Sequence, residues 1–146
     1  MLPVATGELE TAGGNWTTVR RNVALSRKRG TCVARFLTGM DLESAIVALN
    51  LAKNRVLAIP FMVHSGGVGH KRGMAAGRYC CKIAEFLLKQ FKNFAKYANV
   101  TPAKLRIRHI SFVKGKSLKK WIKCARGRAV ASNRKMAHVF AKYSQI

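Results

Sequence analysis

Acidic residues are almost missing from this chain. Five Asp and Glu stand in 146 residues, and none follows Glu85. Carboxylates so few and so scattered cannot supply a paired general acid and base. The four histidines, His64, His70, His109 and His138, have no acid close in sequence to orient them. An enzyme is therefore not expected. The four cysteines, Cys32, Cys80, Cys81 and Cys124, form no C-x-x-C pair. Zinc sites generally take paired ligands two to four residues apart, so no metal or other cofactor is expected. Free thiols behaving as small hydrophobes are the expectation. Long apolar runs are missing too. The longest, near Val56 to Val63, falls far short of the roughly 20 residues of a membrane-spanning helix. The start, MLPVATGELE, lacks the basic and then apolar pattern of a secretory signal. A soluble, intracellular protein with no membrane partner is expected.

What is present in excess is positive charge. Lys and Arg number 28, giving a formal net charge of +23. A compact domain with that charge repels itself unless counter-charge lies close. A small-molecule substrate cannot neutralise so much, so nucleic acid or an anionic surface must. The chain is nevertheless not a disordered polycation. Leu, Ile, Val and Phe make up about a quarter of it, above the roughly 20% typical of disordered, highly charged chains.

Residues 1–30 show no sustained periodicity, and Arg27-Lys28-Arg29 closes them. They read as a basic N-terminal tail that orders on a polyanion. Thr31 to Thr38 is short, with β-branched and aromatic residues, and ends at Gly39; it reads as a strand. Asp41 is an N-cap candidate for a helix reaching Lys53, with Leu42, Ala45, Ile46 and Leu49 on one face. Residues 55–76 read as an interrupted loop. Within it, Ser65-Gly66-Gly67-Val68-Gly69 lacks the spacing of a Walker phosphate loop. Its glycines suit close backbone approach, including approach to a phosphodiester. Gly77 to Asn99 carries the clearest helical stripe: Cys80, Ile83, Ala84, Leu87, Leu88, Phe91 and Ala95. Such a helix is about 34 Å long, and its stripe should pack on a sheet.

From Lys104 onward the pattern becomes that of strands. Leu105 and Ile107 alternate with Arg106 and Arg108, and then Ile110 and Phe112 take the opposite parity. A β-bulge shifts phase in this way. Met136 to Tyr143 is the partner candidate. If residues 104–143 form one hairpin, each arm runs for roughly 60 Å, whereas a globule of this size has a radius of gyration near 15 Å. The hairpin must then project beyond the body. Such an arm, cationic and apolar-poor, is not stable alone in water, and it needs a polyanion around it. The expected architecture is a small α+β body over 31–146 with a long arm embedded in nucleic acid. Trp121, set among Lys119, Lys120 and Lys123, is expected to stack on an RNA base or sugar.

Seven segments occur in an order that no single one of them would make specific. They are Ile59-Pro60-Phe61, Gly66-Gly67-Val68-Gly69-His70-Lys71-Arg72-Gly73, Gly77-Arg78-Tyr79, Ala84-Glu85-Phe86-Leu87-Leu88, His109-Ile110, Lys114-Gly115 and Ala125-Arg126-Gly127-Arg128-Ala129. From Gly39 onward the chain resembles the large-subunit ribosomal protein family L twenty-two, L seventeen in the eukaryotic series, and most of all its archaeal and eukaryotic branch. The family usually has Pro where this chain has Cys80. The resemblance implies a small three-stranded antiparallel sheet packed on helices, two of whose strands continue into the hairpin. It implies a structural role in the cytoplasmic large ribosomal subunit. Its partners would be large-subunit rRNA, neighbouring ribosomal proteins and the nascent peptide, with no small-molecule substrate. The rRNA-binding residues would be Arg27, Lys28, Arg29, His70, Lys71, Arg72, Arg78, Lys114, Lys116, Arg126, Arg128, Arg134 and Lys135. By the same resemblance the hairpin tip falls at about Leu118 to Arg126. Lys119, Lys120, Trp121 and Lys123 would reach the nascent-peptide exit tunnel.

Overall fold

A computed structural model describes residues 6–11 and 14–146, with side chains from residue 14 onward. Two long strands dominate it. β5 spans Leu105–Lys123 and β6 spans Ala129–Gln145, paired antiparallel from Leu105↔Gln145 to Lys123↔Ala129. β2 (Asn15–Val23) pairs with the other edge of β6, and β1 (Thr6–Thr11) adds to β2. The sheet order is β1-β2-β6-β5. The expected change of phase is present as a register shift between Ile107 and His109. It lets Leu105 and Ile107 before the bulge, and Ile110 and Phe112 after it, all be buried.

Three helices cover one side of this sheet. α1 is Arg27–Leu37, α2 is Leu42–Lys53 and α3 is Cys81–Ala98. α3 buries Ile83, Ala84, Leu87, Leu88, Phe91 and Phe94. Phe94 stacks on Tyr143 of β6 at a centroid separation of 3.9 Å, and Trp16 of β2 meets Phe94 edge-on at 6.0 Å. Asn99, in the left-handed region at φ 50, ends the helix. α3 begins at Cys81 rather than Gly77, because Gly77–Arg78 (β4) pairs with Ile59–Pro60 (β3). That pairing closes the intervening loop into a pinned excursion.

Two expectations are corrected. Thr31 to Thr38 is not a strand; Thr31 to Leu37 lie in α1 and Thr38 is its C-cap, and the buried Gly30, Val33, Ala34 and Leu37 recur at helical spacing. Its β-branched residues pointed toward a strand, but packing against β5 decided the outcome. α1 and β5 approach so closely that a Cβ on Gly30 would enter the Phe112 ring. The expected tail over 1–30 also gives way to ordered structure. Asn15–Val23 is a sheet strand, and Arg27, Lys28 and Arg29 form the first turn of α1. Trp16 is held there by burial against Phe94, a residue far away in the sequence. Residues 1–5 and 12–13 of that expected tail lie outside the described residues.

Candidate nucleic-acid interface

Beyond the body, β5 and β6 continue as a free ribbon. A second register shift falls between Lys114 and Ser117. Past it, every residue from Leu118 to Lys135 is exposed. The ribbon ends in a tight turn. Arg126 and Gly127 have φ 59 and 66, and the Arg128 N–H donates to the Ala125 carbonyl at 3.4 Å. Two central residues at positive φ are the pattern of a type I′ turn, which matches the twist of a hairpin. The turn therefore lies at 125–128. Lys119, Lys120, Trp121 and Lys123 lie on the last stretch of β5, before it.

Alternation sorts the ribbon into two faces. Lys119, Trp121 and Lys123 share one face with their partners Asn133, Ala131 and Ala129. Leu118, Lys120 and Ile122 share the other with Arg134, Ser132 and Val130. Trp121 is 67% exposed, and Leu118, Ile122 and Val130 are also exposed. Apolar side chains therefore stand in solvent on both faces, amid cations. A lone two-stranded ribbon of this kind is at best marginal in water. Its form requires surroundings that accept both cations and apolar groups.

The three basic clusters of the sequence meet in space. A groove of about 880 Å³ lies between the start of α1 and the base of the ribbon, lined by Arg27, Lys28, Lys114, Lys119, Arg134 and Lys135. A second, of about 320 Å³, lies between α1 and the glycine loop, lined by Lys28, Arg29, His64 and Arg78. A third, of about 410 Å³, holds Arg55, Lys71, Arg78 and Tyr79. Lys28 lines the first two grooves and Arg78 the last two, so the track is continuous from ribbon to loop. No acid lines any of the three. His70 and Arg72 are exposed on the loop beside it. Lys116, Arg126 and Arg128 are exposed along the ribbon and its turn.

Local chemistry holds this track in place. The Arg78 guanidinium donates to the Gly67 carbonyl at 2.8 Å, tying the glycine loop to β4. Guanidinium has five N–H donors, so this bond does not exhaust it. The Lys71 ammonium sits 5.1 Å from the Tyr79 ring centroid, a cation–π distance. Gly66 and Gly69 have negative or extended backbones, and no atom lies within 4 Å of a Cβ built on either. Nothing inside the protein requires glycine there, and a bare backbone leaves room for something outside. α1 opens with three cations and no acid in its first turn, the reverse of what a helix N-terminus favours. An anion at that end offsets the mismatch.

Sequence reading missed Arg55 and His64 in this track. Their signal, a lone charge beside a loop, becomes visible only once the chain folds. Burial holds two of the cysteines toward the neutral thiol. Cys32 is buried, and desolvation raises its thiol pKa despite a backbone hydrogen bond at Val63 and the Arg35 charge acting to lower it. Burial likewise pushes the Cys80 thiol up to about 11, outweighing Arg29. Among the described residues, no three His, Cys, Asp or Glu side chains gather as a metal site. No helix among them is long and apolar enough to cross a membrane.

The structure defines an α+β body that extends a bare cationic ribbon, continuous with a basic track. Comparison with known proteins shows the family. The family model for ribosomal protein L22p/L17e matches residues 18–143. The chain is 35% identical over 125 residues to the large ribosomal subunit protein uL22 of Methanococcus aeolicus, covering 82% of each chain. It is 35% identical over 130 residues to uL22 of Aeropyrum pernix, covering 83% of each, and 34% identical over 124 residues to that of Ignicoccus hospitalis. The chain belongs to the ribosomal L22p/L17e family, in its archaeal-type branch. It is a structural, non-enzymatic protein of the large ribosomal subunit and works in translation.

Proposed function

We propose that the chain binds and organises large-subunit rRNA in the cytoplasmic ribosome, with its ribbon running inward and its tip reaching the nascent-peptide exit tunnel. The fully exposed cationic ribbon from Leu118 to Lys135 carries this reading. Arg27, Lys28, Arg29 and Arg78 hold phosphates along the body track, with His70, Lys71 and Arg72 on the adjoining loop. Lys114, Lys116, Arg126, Arg128, Arg134 and Lys135 hold them along the ribbon. Recognition is mostly cation to phosphate and by RNA shape, because the deep, narrow major groove of A-form RNA keeps base edges from side chains. Trp121, flanked by Lys119 and Lys123 on one face, presents an aromatic plane for stacking or for the tunnel lumen. Neighbouring ribosomal proteins and the emerging peptide are the other partners.

Sedimentation of tagged chain through a sucrose gradient at about 0.5 M salt tests the reading. Six to ten simple phosphate contacts lose roughly 10³–10⁵ in affinity between 50 and 200 mM salt. Co-sedimentation with the large subunit at the higher salt is expected of an embedded ribbon. Release to the top of the gradient would leave a free nucleic-acid binder instead.

A further inference from the structure

Helix α2 is apolar on two sides, and only one of them is covered. Its inner side buries Leu42, Ala45, Leu49 and Ala52 in the core. On its outer side Val47 is 55% exposed and Leu51 40% exposed, one helical turn apart. They join Ala48, Leu57 and Ala103 in a groove of about 490 Å³. A helix with apolar residues on both sides is usually a buried one.

The lining of this groove also differs in charge from the basic track. Asp41 and Glu43 line it, and no Lys or Arg does. They are two of the three acids in residues 14–146. The Arg106 guanidinium reaches Asp41 from β5, Nε to Oδ1 at 3.2 Å, and Glu43 stands exposed at the start of the helix. Phosphate is a poor occupant, because it would meet carboxylates and desolvated methyl groups. A second copy of the chain is also poor, because two bodies of net charge +23 would have to associate. The complementary occupant is a peptide segment with apolar side chains flanked by cations.

We propose that the outer face of α2 docks an amphipathic, Lys/Arg-flanked segment of a neighbouring protein of the large subunit. The apolar side chains of that segment enter between Val47, Leu51 and Leu57, and a cation faces Glu43, the groove acid outside the Asp41–Arg106 bridge. The proposal rests on the chain's place in the large subunit. The groove shares no lining residue with the basic track, so the two surfaces fail or succeed separately.

The test places a benzophenone amino acid at position 47 of the full chain. The chain is incorporated into large subunits in cells, and the subunits are purified through high salt before irradiation. The expected product is a cross-link to one ribosomal protein, mapped to a peptide with Lys or Arg beside apolar residues. Leu51→Asp should cut its yield by more than about tenfold through the lost apolar contact. Glu43→Lys should cut it by up to about fivefold, the range of an exposed ion pair. Both variants change exposed side chains, and equal recovery in the subunit shows that they fold. A cross-link to rRNA, to a second copy of the chain, or to nothing overturns the proposal. So does a protein cross-link that neither variant weakens. A benzophenone at position 121 in a parallel preparation reports the ribbon's surroundings independently.

Discussion

The same two strands are a core element at one end and a bare polycation at the other. In the body, β5 and β6 bury Leu105, Ile107, Ile110, Phe112, Ala137, Val139, Ala141 and Tyr143. In the ribbon they bury nothing from Leu118 to Lys135. Backbone pairing is continuous through both, apart from the register shifts. Strand pairing therefore does not distinguish the regions; what lies against the faces does. The body covers its own apolar face with helices. The ribbon leaves both faces to whatever surrounds it. The body thus carries its own packing, and the ribbon has no packed face of its own.

The largest expected effect separates the halves by core deletion. Phe94→Ala removes the ring that stacks on Tyr143 and meets Trp16 edge-on and should cost about 3–5 kcal/mol in denaturant unfolding. Ile122→Ala on the ribbon should stay within about 0.5 kcal/mol in the same measurement. Comparable losses at both sites would mean that the ribbon is packed in the free protein. Next, Gly30→Ala should destabilise the body by about 1–3 kcal/mol, because its methyl would overpack against buried Phe112. An unchanged melting temperature would show that α1 can retreat from β5 freely.

The ribbon responds in the opposite manner. Arg126→Glu with Arg128→Glu should leave unfolding of the free protein nearly unchanged yet block stable incorporation into subunits. In a direct rRNA binding titration, loss of two phosphate contacts should flatten the salt slope by about two. Normal recovery of this variant in the large subunit would remove both residues from the interface. Gly66→Ala sharpens the contrast, since no atom of the protein meets the added methyl. Stability should hold while rRNA affinity falls; unchanged affinity would mean that nothing approaches that backbone.

The smallest effect concerns thiols. The Cys80 pKa in the folded chain, about 11, stands above its usual 9.0. The unfolded chain therefore loses its proton first, and the contribution present below pH 9 declines as pH rises towards 11. The midpoint of thermal unfolding should fall over that window, and Cys80→Ala should flatten the decline. At neutral pH a disulfide reagent should modify exposed Cys124 readily, but buried Cys32 and Cys80 only on unfolding.

Local signals carried much of the fold. α2 and α3 were legible because their apolar residues recur at helical spacing, and the break in parity at Ile107 announced the bulge. The projecting hairpin followed from length alone. α1 and β2 were not legible. Val33 and Ala34 fit a strand as well as a helix over so short a run, and the long-range neighbours Phe112 and Phe94 decide between the forms. Arg27, Lys28, Arg29, Lys71, Arg78, Lys114, Lys119, Arg134 and Lys135 line the basic grooves, yet the sequence holds them in three separate stretches. Their union depends on Lys28 and Arg78, each lining two grooves.

Composition and periodicity alone determined that this chain is a cationic body with an arm too long for it, because charge and strand length are additive properties of residues. Only the tertiary structure decided which helix start meets which loop, where the ribbon leaves the body, and which face of α2 stays bare. Those depend on contacts between residues distant in the chain, and no local pattern encodes the energy of a contact whose partner lies elsewhere.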